Sequence, residues 1–115
     1  MKNTTMNKYD VVTLYIAFSE GERGKRRPIL IVHRDEEGIE FYRLTSKYVK
    51  KSKYIQSHYY KIKDWEEVGL VKQSWIDIGK RLWLPMNELD KIIKIGKLTL
   101  RDKEQLVSFI ENYFS

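Results

Sequence analysis

Arginine, lysine and tyrosine crowd one part of this sequence. From Arg43 to Lys63 there are seven basic residues and no acidic one, with Tyr48, Tyr54, Tyr59 and Tyr60 interleaved among them. Cations bind phosphates and aromatic faces stack on unpaired bases, so the stretch suits single-stranded nucleic acid. A solvated loop with its tyrosines turned inward would have the same composition. A second basic segment, Gly24-Lys25-Arg26-Arg27-Pro28-Ile29-Leu30-Ile31-Val32, is a glycine-hinged loop that enters an apolar strand through an Arg-Pro dipeptide. Other chemistries are poorly served. His33 and His58 are the only histidines, there is no cysteine, and no His-x3-His or paired-carboxylate spacing accompanies either histidine, so no metal site or other cofactor is expected. A glycine-rich phosphate loop, a Gly-x-Ser-x-Gly turn and a Ser/His/Asp arrangement are all absent from the sequence. Histidine is the side-chain type suited to carrying protons at neutral pH, so each is a candidate proton carrier, the alternative for each being a partly buried strand residue.

These residues must be held by a small domain. At 115 residues the chain is one domain's length, able to bury about two thirds of its unfolded surface. A single domain over 1–115 is expected. Without cysteine it depends on an apolar core or a partner subunit. No apolar run approaches the roughly 18 residues of a membrane span, and Met1 to Asp10 is polar, so an unexported, cytoplasmic protein without a membrane partner is expected. The formal net charge of +6 favours polyanions or an acidic protein as partners.

The pattern of apolar residues predicts mainly β structure. Tyr9 to Phe18 alternates, with Val12, Leu14, Ile16 and Phe18 on one face. Ser19 to Arg26, with two glycines and five charges, is a loop. A second strand starts near Arg27, where Pro28 is tolerable because a strand's first residues need not donate a hydrogen bond. Asp35 to Gly38 reads as a turn, Ile39 to Ser46 as a third strand and Tyr54 to Ile62 as a fourth, the last two forming a long hairpin across Lys47 to Lys53. Asp64 to Gly69 reads as one helical turn with Asp64 as cap and Gly69 as stop. Ser74 to Ile78 and Arg81 to Pro85 are extended. Thr99 with Asp102 opens a final amphipathic helix carrying Leu106, Val107, Phe109, Ile110, Tyr113 and Phe114. Short strands followed by one terminal helix predict a small, strongly bent antiparallel barrel.

Several segments, taken in order, resemble the MazF/PemK toxins. Arg27-Pro28 with the apolar residues after it resembles their Arg-Pro-x-x-[Val/Ile] signature, and Leu44-Thr45-Ser46 the Thr-Ser ending of their next strand. Gly69-Leu70, Lys72 and Ser74 resemble a Gly-Leu-x-x-x-Ser segment, and Ile95-Gly96-Lys97-Leu98-Thr99 the lead into the last helix. The likeness runs from Tyr9 to Phe114. It departs at Tyr9-Asp10, where members have Gly-Asp, and at Ser74 to Arg81, where an Arg-x-Asp pair has no match; Asp77 and Arg81 are the local candidates and neither is assigned a role.

The resemblance implies a mainly β, Src-homology-3-type barrel with a C-terminal helix. It further implies a homodimer, an antitoxin partner with an acidic or amphipathic tail, and metal-independent cleavage of single-stranded RNA by the 2′-hydroxyl. Arg27 matches the family's catalytic arginine and Thr45 its catalytic threonine; Glu22 sits at the offset of a loop acid found in some members. A planar guanidinium suits the charge that builds on phosphoryl oxygens during such a reaction. Expected RNA contacts are Arg23, Lys25 and Arg26 on the loop, and Ser46, Lys47, Lys50, Lys51, Lys53 and Tyr54 beyond Thr45. His33 and His58 are both candidates for the general base. Two other readings stay open. A non-catalytic nucleic-acid-binding barrel would use the basic stretch equally well. A CcdB-like, gyrase-poisoning toxin shares the barrel but leaves both the basic stretch and the Arg27/Thr45 pairing unexplained. Of the three tryptophans, Trp83, between Leu82 and Leu84, is the one expected to be buried, at a subunit interface or in the core.

Overall fold

The structure, a computed structural model, describes residues 6–16, 25–89 and 92–115. Six strands form one antiparallel sheet: β1 (Asp10–Ile16), β2 (Lys25–Arg34), β3 (Gly38–Thr45), β4 (Tyr59–Lys61), β5 (Trp75–Pro85) and β6 (Ile93–Lys97), in the spatial order β4-β5-β3-β2-β1-β6. Two single-turn helices, α1 (Lys53–Gln56) and α2 (Trp65–Val68), flank β4, and α3 (Leu100–Phe114) ends the chain. Among the described residues the outer strands β4 and β6 do not pair with each other, so the sheet is open. No helix among these residues is long and apolar enough to cross a membrane.

Both faces of the sheet bury apolar side chains. On one face Val11, Leu30, Val32, Tyr42, Leu44, Ile76 and Ile78 pack with Leu106 of α3, and Phe109, Ile110 and Tyr113 extend that contact. On the other, Val12, Leu14, Ile29, Ile31, Ile39 and Phe41 pack with Met6 and are closed by Leu82, Leu84 and Met86. β2 is central, so Ile29 and Ile31 serve one core while Leu30 and Val32 serve the other. The continuous apolar run at its centre follows from that double burial. Bulges at Val11/Val12, Ile31/His33 and Phe41/Arg43 interrupt the register and kink the strands locally.

Several expectations are corrected. Tyr54 to Ile62 is not one strand: Ser52 Oγ accepts from the Ile55 N–H and starts α1, leaving only Tyr59–Lys61 extended. The anticipated hairpin with β3 does not form either, because β5 occupies that edge of β3 and β4 pairs with β5. Trp83 is 52% exposed in the single chain and therefore has no core role. Beyond these, Ile93–Lys97 is a strand that the apolar pattern does not mark, pairing with β1. Gly96 is needed there, since a Cβ on it would lie 2.0 Å from the Val68 carbonyl oxygen.

The last helix begins as anticipated, with the Thr99 Oγ1 accepting from the Asp102 N–H. Gly69 stops α2 in the left-handed conformation (φ 108°), but Asp64 does not cap that turn. Its carboxylate instead accepts from the Thr99 hydroxyl at 2.7 Å and from the Arg101 guanidinium, tying the start of α2 to the start of α3. Arg101, and after it Thr99, hold the Asp64 carboxyl below the usual carboxylate range. A depressed folded-state value stabilises the fold above the unfolded value and loses that contribution as pH falls through the folded one. Below about pH 4 the wild type should therefore lose more melting temperature than Asp64→Asn, measured by thermal unfolding across an acid series. Parallel curves would show that this carboxylate does not contribute to acid stability.

Candidate nucleic-acid groove

Register brings the two residues of the Arg-Pro and Thr-Ser segments together. Ile29 on β2 stands opposite Arg43 on β3, and Arg27 and Thr45, each two residues further along its strand, lie on that same face and line the same clefts. Across the next strands Thr45 faces Trp75 and Trp75 faces Lys61, while Arg43 faces Asp77 and Asp77 faces Tyr59. Paired residues share a sheet face. Arg27, Thr45, Trp75 and Lys61 thus form one row on the face away from α3, and Ile29, Arg43, Asp77 and Tyr59 the next.

Two adjoining clefts meet at these rows, and Arg27, Leu44, Thr45 and Lys47 line both. One, of about 210 Å³, continues past Pro28 and Ser46 to Lys72 and Ser74. The other, of about 280 Å³, is walled by Arg43, Lys51, Tyr59 and Asp77. Four cations, Arg27, Arg43, Lys47 and Lys51, thereby surround a single carboxylate in the second cleft. Asp77 Oδ1 accepts from the Gly79 N–H at 2.9 Å. The Tyr59 hydroxyl is held above the usual tyrosine range by burial and by Asp77, with Arg43 acting in the opposite sense, so it stays protonated at neutral pH. Thr45 Oγ1 accepts from the Lys47 N–H at 3.0 Å, which uses one lone pair and leaves the hydroxyl proton to donate elsewhere.

Of the residues expected to act together, Arg27, Thr45, Ser46, Lys47 and Lys51 converge on these clefts. Others lie elsewhere. Arg26 alternates to the opposite face, donating to the Thr13 carbonyl (3.2 Å) and hydroxyl (2.7 Å) with its guanidinium 5.9 Å from the Tyr15 ring. Lys25 is exposed at the start of β2, and Lys50 and Lys53 are exposed without lining either cleft. Tyr54 lies edge-on to His58, and His58 edge-on to Tyr113 of α3 at 5.2 Å, so both belong to the helix side of the sheet. His33 is six residues along β2 from Arg27, roughly 20 Å at strand spacing, and its Nε2 is 3.4 Å from Asp35. Neither histidine lines the clefts, although His58 Nδ1 and Asp77 Oδ1 flank Gly79 together, at 2.5 and 3.2 Å from where a Cβ would stand. Glu22 and Arg23 lie outside the described residues.

Arg43 and Asp77 line the second cleft without being among the expected site residues. Arg43 is legible in principle, because it precedes Thr45 by two on a strand and so shares its face. Asp77 is not, since its placement depends on β5 pairing with β3. Among the described residues no three of His, Asp and Glu are grouped to hold a metal ion. No protein-family model matches the chain, and no curated protein matches it significantly.

Proposed function

We propose that the chain is a cytoplasmic endoribonuclease toxin similar to MazF and PemK, a small Src-homology-3-type barrel that cuts single-stranded RNA as a homodimer and is neutralised by an antitoxin with an acidic or amphipathic tail. One observation carries this reading: Arg27 and Thr45, drawn from separate sequence segments, share one sheet face and line both clefts. In the reaction the RNA 2′-oxygen bonds to the adjacent phosphorus, the bond from phosphorus to the 5′-oxygen breaks, and the products carry a 2′,3′-cyclic phosphate and a 5′-hydroxyl. Arg27 binds the phosphoryl oxygens as their charge builds. Thr45 donates its free hydroxyl proton to one of them. Asp77, the carboxylate of the second cleft, takes the 2′-hydroxyl proton, and the leaving 5′-oxygen takes its proton from water. The half-exposed Trp83 offers apolar surface to the second subunit.

The test is incubation of the protein with a long single-stranded RNA in excess EDTA. Fragments ending in 2′,3′-cyclic phosphate are expected, and an RNA with a 2′-deoxy nucleotide at the cut site should bind but stay intact. Binding without cleavage of any RNA would leave the barrel a nucleic-acid binder. The groove also predicts which lysines meet phosphate. Replacing Lys47 and Lys51 by glutamine should lower the log–log salt slope of single-strand binding by about 0.7 for each phosphate no longer neutralised, whereas Lys50→Gln should leave it unchanged. Equal slopes for all of these proteins would place the phosphates away from the second cleft.

A further inference from the structure

Beside the clefts, and not used by the phosphate chemistry, two rings lie face to face. Tyr48 stacks on Trp75 with centroids 4.8 Å apart and planes 11° from parallel, and Tyr59 leans on Tyr48 at 6.2 Å and 49°. Trp75 is the cross-strand neighbour of Thr45, and Lys61 is its neighbour on the other side. The stack therefore stands two strands over from Arg27, about 10 Å away, on the same face of the sheet. Tyr48 is also fixed from behind: its carbonyl accepts from the Lys51 N–H at 3.1 Å and from the Gln56 side-chain amide at 2.9 Å. Both rings are only half-buried. A ring pair of this kind held in place before RNA arrives has lost its ordering entropy already, which favours binding.

Resting on the nuclease reading above, we infer that Tyr48, backed by Trp75, is a stacking platform for the base next to the phosphate held by Arg27 and Thr45. Any base has a π-face, so the platform contributes affinity and position without choosing the base. Lys47, just before Tyr48, and Lys61, beside Trp75, lie where the backbone on either side of the stacked base must pass. Base identity has to be read by other groups.

A double-mutant cycle between protein and RNA tests the inference. The probe is a single-stranded RNA made uncleavable by one 2′-deoxy nucleotide at the mapped cut site, prepared intact and with an abasic nucleotide at each neighbouring position. With the wild type, one abasic position next to the cut should weaken binding about 5- to 150-fold, the range for one stacked base. Tyr48→Ala should weaken the intact RNA by a similar factor and show no further loss with that abasic RNA. Tyr48→Phe, which keeps the π-face, should behave as wild type, and Tyr48→Leu, which keeps apolar bulk without it, should behave as Tyr48→Ala if the alanine variant is poorly folded. Losses that multiply at every position, or an unchanged affinity in Tyr48→Ala and Tyr48→Leu, would overturn the platform while leaving cleavage intact. A wild type that neither binds nor cuts single-stranded RNA would overturn the nuclease reading itself, and the platform with it.

Discussion

Arg27→Ala is expected to slow RNA cleavage about 100-fold or more while weakening RNA binding only severalfold. Removing one preorganised donor from a developing oxyanion costs rate on that scale because the interaction is strongest in the transition state. On the proposed function, ground-state affinity is expected to be shared with Arg43, Lys47 and Lys51, which line the same cleft, so losing one of four cations should change it less. Arg27→Lys should recover part of the binding and little of the rate, since an ammonium keeps the charge but lacks the planar fork that grips two phosphoryl oxygens. Thr45→Ser, which retains a hydroxyl for the Lys47 N–H and a proton to donate, should stay active where Thr45→Ala does not. Single-turnover cleavage, set beside affinity for 2′-deoxy RNA, separates the two quantities. Equal losses in both would make Arg27 a positioning contact, and near-wild-type cleavage would remove it from the chemistry.

Local pattern was enough for much of the architecture and failed where pairing decides. The β1 alternation, the Ile29–Val32 run and the α3 stripe are each written in neighbouring residues, because every one of them buries a face whose period is visible. Tyr54 to Ile62 misled because tyrosine and isoleucine carry strand preference into a segment that Ser52 caps as a helical turn. β6 hid for the opposite reason: Ile93 is exposed and Gly96 has no side chain, so the strand shows no clear period, and its partner β1 is distant in sequence.

The groove divides in the same way. Arg27 and Thr45 could be picked from short segments, but their meeting depends on the β2–β3 register, and the presence of Asp77 on a second register between β3 and β5. Adjacent arginines on one strand take opposite faces, which is why Arg26 pairs with Thr13 and Tyr15 while Arg27 faces the cleft. Histidine is recognisable by type and not by facing. His33 lies at the far end of β2, whereas His58 packs against Tyr113 beside Gly79 and Asp77 without lining the clefts, so residue type alone does not tell which histidine stands near a groove.

Asp102→Ala should be the most damaging substitution to stability, with a melting temperature more than about 10 °C below wild type. The Asp102 carboxylate is fully buried and accepts from the Tyr60 hydroxyl, the Lys63 N–H at 2.9 Å and the Asp64 N–H at 2.8 Å. Alanine removes the acceptor and leaves three donors facing a cavity, a loss of about 3–5 kcal/mol when hydrogen bonds to a charged group are each worth roughly 1.5–3 and the groups left behind are desolvated. For a domain of this size each kcal/mol shifts the melting temperature by several degrees, and total stability is only about 5–15 kcal/mol. Asp102→Asn should fall between, because its amide keeps one acceptor but turns N–H groups toward backbone N–H groups. Tyr60→Phe, which deletes one donor together with its bond, should lose less, about 1.5–3 kcal/mol. It should also change the alkaline limb: burial, and after it Asp102, hold the Tyr60 hydroxyl well above the ordinary tyrosine range. Stability from a raised value is complete below the unfolded value of about 10 and declines as pH rises beyond it, so Tyr60→Phe should flatten that decline. All of these groups lie on the α3 side of the sheet, opposite Arg27 and Thr45, so the folded fraction of each variant should cleave RNA at the wild-type rate at low temperature. An Asp102→Ala protein that melts within a few degrees of wild type would show that the carboxylate is not what fastens α3 to the turn between β4 and α2.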